Sequence, residues 1–469
     1  MGRARTVLAC MLVCLVLPAA AGTGVRMWVG FQDDPSLRWR DDRAQMLDRA
    51  RDHGASVVRT TVYWLRTAPT RPANASNPFD PAYRFDDLDE LVRGAWQRGM
   101  AVMITIWGTP GWANGGRGPN YAPRNAADLG NFARALASRY SGRTPGLPFV
   151  KFYTIWNEPN LAQFLAPTFD SKGKPLAPLT YAALYRAAYA GIKAGNPGAL
   201  VGIGETSPRG RDTPTPAPGR LQDTLSPGTF ARLLSTVRPR LQFDAWSHHP
   251  YSELGKGPTQ QVRFPNVSLA QLEQFEGKLD EWFGRKNIPI WITEYGFETK
   301  PAEPKGVTLA QQATYARKAL QIARDDPRVQ VFIWFILRDD PTSTWQSGLL
   351  EQTGREKPAS NVFSAAAHEL DARNPIVTVV GGTTPSVRIP VFEFAAREGV
   401  GGPVFTTTRA YIGSRLVGVS QPTGSISVDG WVTLPVPVEV QRGVTYSVTF
   451  DLSDRNGDRV FRSATLVAR

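Results

Sequence analysis

The chain has 469 residues, is 42% hydrophobic and 20% charged, and carries 13 Trp and a formal charge of +13. That length holds one large domain plus a smaller one, and the composition is that of an ordinary globular protein. The basic balance favours anionic surfaces, but no run of five or more like charges and no nucleic-acid motif accompanies it, so nucleic acid is excluded as a partner and the charge reads as an arginine-rich solvated surface.

The first 21 residues form a separate unit. Arg3 and Arg5 give a positive start, Val7 to Leu17 is a short apolar run, and Ala19, Ala20 and Ala21 supply the small residues of a cleavage site, the pattern of a secretory signal peptide. The run is too short to span a membrane, and nothing later approaches about 20 uninterrupted apolar residues. A soluble, exported protein is expected. Its removal takes away Arg3 and Arg5, leaving +11 from the +13 of the full chain. Cys10 and Cys14, the two cysteines, lie inside this segment, so the mature chain has no thiol and no disulfide.

Eight β-branched runs follow. They begin at Val25, Ser56, Ala101, Phe152, Leu200, Phe243, Ile288 and Val329. Because each is almost continuously apolar, they read as strands covered on both faces, as in a parallel sheet. Amphipathic helix patterns lie between them. The clearest has Leu88, Leu91, Val92, Ala95 and Trp96 on one face and stops at Gly99; others cover Ala182 to Lys193, Leu269 to Phe283 and Leu309 to Ala323. Eight alternations without a Gly-rich dinucleotide loop predict an α/β fold, a (β/α)8 TIM barrel over residues 22–373.

Loop lengths give an independent argument. Strand-to-helix links are long and rich in Gly and Pro, at Trp107 to Arg124, Pro159 to Pro178, Thr206 to Pro227 and Arg338 to Lys357, whereas helix-to-strand links such as His53 to Ser56 are short. Elaboration is therefore confined to one face, which in a barrel is the C-terminal face where active sites are built. A last helix pattern runs from Val362 to Leu370. From about Pro375 the texture changes to alternating segments, with a hairpin signal, D-R-N-G-D, at Asp454. Residues 374–469 are expected to form a small all-β sandwich. It is read as an accessory domain bracing the barrel, with an independent sugar binder using Trp431 as the competing reading.

Glu158 ends the fourth strand and Glu294 the seventh, so both should project from one rim. Two carboxylates converging on one cleft are the equipment of glycoside hydrolysis: one protonates the leaving oxygen while the other attacks or activates water. Asn157 precedes the first of them, and Trp107, Trp112, Tyr121 and Trp345 lie in the long loops, where flat rings stack on sugars or simply pack. Trp246 and Trp291, inside strands, read as core. Glu205, ending the fifth strand, is a competing acid that either binds substrate or pairs with Arg209. His248 and His249 differ by one position, so only one faces the cleft. With four His and no mature Cys, neither a metal site nor a thiol centre is expected, and no cofactor motif is present.

The stretches W-N-E-P-N at Trp156 to Asn160 and W-I-T-E-Y-G at Trp291 to Gly296 resemble the acid/base and nucleophile signatures of the retaining glycoside hydrolases of clan GH-A. S-H-H-P-Y at Ser247 to Tyr251 resembles the sixth-strand pattern of family 39, with the cellulase-like family 5 as the related alternative. The resemblance spans roughly residues 25–372. It implies Glu158 as general acid/base, its pKa raised by partial burial beside Trp156, and Glu294 as nucleophile. It further implies Asn157 on the 2-hydroxyl, Arg59 and Tyr251 hydrogen-bonded to Glu294, His249 beside the acid, and Trp334 as the floor of the catalytic subsite. The expected function is a secreted retaining glycosidase cleaving β-linked polysaccharide or oligosaccharide, with cell-surface glycans among its partners. A transglycosylase using the same residues and a noncatalytic carbohydrate-binding protein are the alternatives. The sugar, the linkage, endo or exo action and the oligomeric state stay open.

Overall fold

The computed structural model describes residues 26–216, 221–342 and 345–469; the segment read as a signal peptide, with Cys10 and Cys14, lies outside the described residues. Eight strands form one closed barrel in sequence order: β1 (Trp28–Gln32), β2 (Val57–Tyr63), β3 (Ala101–Trp107), β4 (Phe152–Ile155), β5 (Leu200–Thr206), β6 (Ala245–His248), β7 (Ile290–Tyr295) and β8 (Val329–Phe335). All neighbours are parallel, and β8 closes on β1 in the register Trp28 to Val331 and Gly30 to Ile333. Gly30 is required there: a Cβ would lie 1.6 Å from the Val57 carbonyl oxygen.

Strand alternation divides the core into two. Inward residues such as Met103, Trp291, Val331 and Ile333 fill the barrel. Their neighbours Val102, Ile292, Phe332 and Trp334 pack outward under the helices. This double coverage is why the sequence runs are apolar throughout. The helix Asp86–Gln97 buries Leu88, Leu91, Val92, Ala95 and Trp96, carries three aspartates in its first turn and gives way at Gly99, whose φ is 73°. The helix Leu309–Asp325 starts from a capping box: Gln311 N donates to Thr308 Oγ1 at 3.2 Å, and Thr308 N donates to Gln311 Oε1 at 2.8 Å. The last barrel helix spans Pro358–Leu370. No helix among the described residues is long and apolar enough to cross a membrane.

Beyond the barrel lie β9 (Ile376–Val379), β10 (Ser386–Pro390), β11 (Pro403–Ile412), β12 (Arg415–Ser420), β13 (Thr423–Ser425), β14 (Trp431–Pro435), β15 (Thr445–Ser453) and β16 (Arg459–Ala468). β10 and β14 make a two-stranded sheet, and the other six strands make a second one. Val387, Ile389 and Leu434 of the first share a core with Val448, Phe450 and Leu466 of the second. The β15–β16 hairpin turns on Asp454, whose carboxylate accepts the Asn456 and Asp458 N–H groups at 3.0 and 3.1 Å. One element departs from the strand pattern: Phe392–Glu398 is a short helix. Its V-F-E-F start alternates like a strand, yet as a helix it sends Phe394 into the β core and Phe392 to the barrel.

Phe392 and Trp431 cover the N-terminal mouth of the barrel. Phe392 stacks on Trp96 and on Trp28, with ring centroids 5.0 and 6.3 Å away, and Trp431 meets Trp28 edge-on at 6.4 Å. Trp431 is thus an interface residue under the barrel, with Lys151 Nζ 5.4 Å and Arg388 5.3 Å from its ring.

Candidate active site

The C-terminal ends of β4, β5 and β7 break regular strand geometry, and each break aims a carboxylate inward. Trp156, Glu158 and Glu205 have positive φ (69°, 37° and 47°), a conformation that non-glycine residues adopt at a cost of roughly 1–3 kcal/mol each and that clusters at functional sites. Register shifts interrupt β5 against β6 between Gly204 and Thr206, and β7 against β8 between Ile292 and Tyr295. Such bulges re-aim side chains. The Glu158 N–H donates to the Glu205 carbonyl at 2.9 Å, which ties the end of β4 to β5.

Two buried cations hold the three carboxylates. Arg59, inward on β2, donates from Nη1 to Glu294 Oε1 at 2.7 Å, from Nη2 to Glu205 Oε2 at 2.6 Å and from Nε to Thr105 at 2.9 Å. His249 follows β6. Its Nδ1 is 3.0 Å from Glu158 Oε1 and 3.6 Å from Glu294 Oε2, and its Nε2 is 3.3 Å from Glu205 Oε2. Tyr251 donates its hydroxyl to Glu294 Oε2 at 3.2 Å. His248 turns outward to pack on Phe275 and meets Thr206 and the Val267 carbonyl, so the alternation of β6 selects His249 for the cleft. Both Glu158 and Glu294 therefore approach one nitrogen. One imidazole edge thus brings the two carboxylates together over the same cleft.

Above these groups opens a cavity of about 750 Å³, within the size range of ligand sites. Asn157, Glu158, Glu294, Tyr251, Trp107 and Trp345 all line it. Trp112 and Tyr121 do not: Trp112 packs edge-on to Trp64 and donates to the Ala68 carbonyl, and Tyr121 lies under Arg117. Trp334 is a correction. It is fully buried behind the wall, donating Nε1 to the Ser347 carbonyl at 2.9 Å and packing on Phe297 and Phe363. Val331 and Ile333 point inward, so strand alternation sends Trp334 to the helices and gives the cavity to Phe335, whose ring lies 6.0 Å from Trp345. Among the described residues, no group of three or more metal-ligating side chains is placed to hold an ion.

Residues 20–338, about two thirds of the chain, match the family described as Cellulase (glycosyl hydrolase family 5). The chain belongs to glycosyl hydrolase family 5. It is thus a glycoside hydrolase of clan GH-A, a clan of retaining enzymes. Family 39, to which S-H-H-P-Y pointed, appears among the solved structures. A family 39 glycoside hydrolase from Bacteroides cellulosilyticus WH2 is 16% identical with a TM-score of 0.54, covering 92% of this chain and 81% of its own. A GH5_18 enzyme from Streptomyces cattleya, solved with GlcNAc, is 17% identical with a TM-score of 0.52, covering 76% and 85%. At these identities the likeness is one of fold. No curated protein matches the sequence.

For a family 5 barrel the electrostatics of the carboxylates decide their chemistry. Burial raises the pKa of Glu158, opposed by its hydrogen bond to His249 and reinforced by the charges of Glu294 and Glu205. Trp156 is not the wall that does this, since it is buried away in the outer core with its Nε1 on the Phe164 carbonyl. Burial also acts on Glu205, but the charge of Arg59 and the contacts with His249 outweigh it and bring its pKa down to about 2. Burial pushes His249 down, and the Glu294 charge with the Glu158 and Glu205 hydrogen bonds overcomes it, lifting the imidazole to about 10. Glu205 is thus held as an anion between two cations. Sequence reasoning offered it Arg209 as partner; the partner is Arg59, which only the closure of β2 through β5 into a ring brings near.

Proposed function

We propose that this glycoside hydrolase is an exported β-glycosidase that cleaves polysaccharide or oligosaccharide by double displacement. Glu294 attacks the anomeric carbon while Glu158 gives its proton to the departing oxygen. Glu158 then takes a proton from the water that releases the glycosyl-enzyme. The observation that carries this reading is the bridging of Glu158 and Glu294 by one imidazole nitrogen at 3.0 and 3.6 Å.

Each neighbour then has a task. Arg59 and Tyr251 hydrogen-bond the two oxygens of Glu294, which fixes the carboxylate's orientation toward the cavity. Burial keeps Glu158 protonated beyond the ordinary carboxylate range, as a general acid requires. Asn157 faces the cavity, where it would meet the 2-hydroxyl, and Trp107 and Trp345 offer ring faces. Export rests on the pattern of residues 1–21. The test is hydrolysis of a panel of β-glycans and aryl β-glycosides by residues 22–469, with the product anomer read by NMR. The first-formed product should keep the substrate's configuration; an inverted anomer would overturn the mechanism.

A further inference from the structure

Arg209 is the one Lys or Arg among the described residues lining the cavity. It is poorly satisfied for a side chain only 36% exposed: Nη2 reaches the Ser252 carbonyl at 3.4 Å, while Nη1 makes no hydrogen bond and meets Glu253 only at 3.9 Å. Glu253 is itself 52% exposed, so water screens the pair. Glu205, four residues earlier, is already held by Arg59 and His249. An arginine left with unspent donors in a cavity wall suits a ligand anion, because its planar fork matches a carboxylate bidentately.

Its side of the cavity is defined. A general acid faces the leaving group, and Glu158 stands at the end of β4, joined through its N–H to Glu205 on β5. Arg209 follows β5, the neighbour of β4 in the ring, and Ser252 and Glu253 follow β6, so the three border the cavity on the arc of the rim that starts at the acid. The formal charge of +11 on residues 22–469 adds a field that draws polyanions toward the protein.

We propose that Arg209 receives a carboxylate on the leaving-group side of the bound glycan, so that the substrate class is an acidic, uronate-bearing glycan. This rests on the reading of Glu158 as the acid. The test uses matched pairs: uronate-containing oligosaccharides and the same oligosaccharides with each carboxylate reduced to a primary alcohol. For wild type, Arg209→Gln and Arg209→Lys, the quantity read is the ratio of kcat/KM between the acidic and the reduced member, in which any general loss cancels. Wild type should favour the acidic member at least about tenfold, Arg209→Gln should erase that preference, and Arg209→Lys should restore part of it. No preference in wild type, or the same preference in all three proteins, overturns the proposal. The same pairs printed on an array and probed with Glu158→Gln and with Glu158→Gln/Arg209→Gln give the ratio without turnover. If no member is hydrolysed, the glycosidase reading fails while the array still decides the role of Arg209.

Discussion

At the N-terminal mouth of the barrel the inward side chains are Trp28, Phe152 and Trp291, and the chain covers them with its own Phe392 and Trp431. At the C-terminal mouth β4, β5 and β7 lead into Glu158, Glu205 and Glu294, and the space above is left open. Departures from regular strand geometry concentrate at the upper mouth, with three positive-φ non-glycine residues and two register shifts, against one such residue, Asn287, and one register shift, between Ile290 and Trp291, at the lower. The difference teaches where this fold stores its strain. Geometry is more regular where apolar area is buried, and irregularity gathers at the ends that aim charges.

Substitutions should separate the two mouths sharply. The largest effect is expected at Glu294→Gln, which removes the proposed covalent nucleophile and should lower kcat by more than about 10⁴-fold while the melting temperature holds. Glu158→Gln should cost about 10²–10⁴-fold on natural glycans and much less on aryl glycosides whose leaving groups need no proton. A similar loss on both substrate types would remove it from the acid role. Arg59→Met tests whether charge at the upper mouth also stabilises. It strands Glu205 and Glu294 without their shared cation, so unfolding in denaturant should show a loss of roughly 3–5 kcal/mol together with the loss of activity.

At the lower mouth Trp431→Ala should do the reverse. It removes a half-buried ring from Trp28 and Phe392, costing about 2–3 kcal/mol, at or below the lower end for Trp truncations, and leaving kcat/KM at room temperature unchanged. A change in activity would mean that the two mouths are coupled. The subtlest effect is on pH. Because the proposed acid, Glu158, has to be protonated and its pKa is raised, activity should fall as pH rises through a value above the ordinary 4.5, and this basic limb should vanish in Glu158→Gln. Stability has its own windows. His249 has its folded pKa raised from 6.5 to about 10, so its contribution is full below 6.5 and is lost on the way to 10. That of Glu205, lowered from 4.5 to about 2, is full above 4.5 and is lost as pH falls toward 2.

Much of the barrel could be read from the sequence because burial on both faces leaves a continuous apolar signature in each strand, and because long loops collect on one face. Glu158 and Glu294 were legible for a related reason: a carboxylate directly after such a run has few structural uses. Trp334 misled, since a large aromatic at a strand end satisfies the pattern for core and for subsite alike, and only the inward phase of Val331 and Ile333 distinguishes it from Phe335. The Arg59 to Glu205 pair joins residues 146 apart and has no local signal. The helix Phe392–Glu398 was absent from the all-β reading of residues 374–469, because two turns are too short to show a helical repeat.

The bridge of Arg59 and His249 across three carboxylates has a consequence for the proposed cycle. With Glu158 protonated, two negative side chains face two positive ones. When Glu158 surrenders its proton and Glu294 becomes an ester, the negative charge has moved from one glutamate to the other and the sum is again zero. Hydrolysis of the ester moves it back. The cluster is therefore electroneutral at every resting point of the reaction, and turnover relocates one charge over a few ångströms without requiring the protein interior to host an extra one.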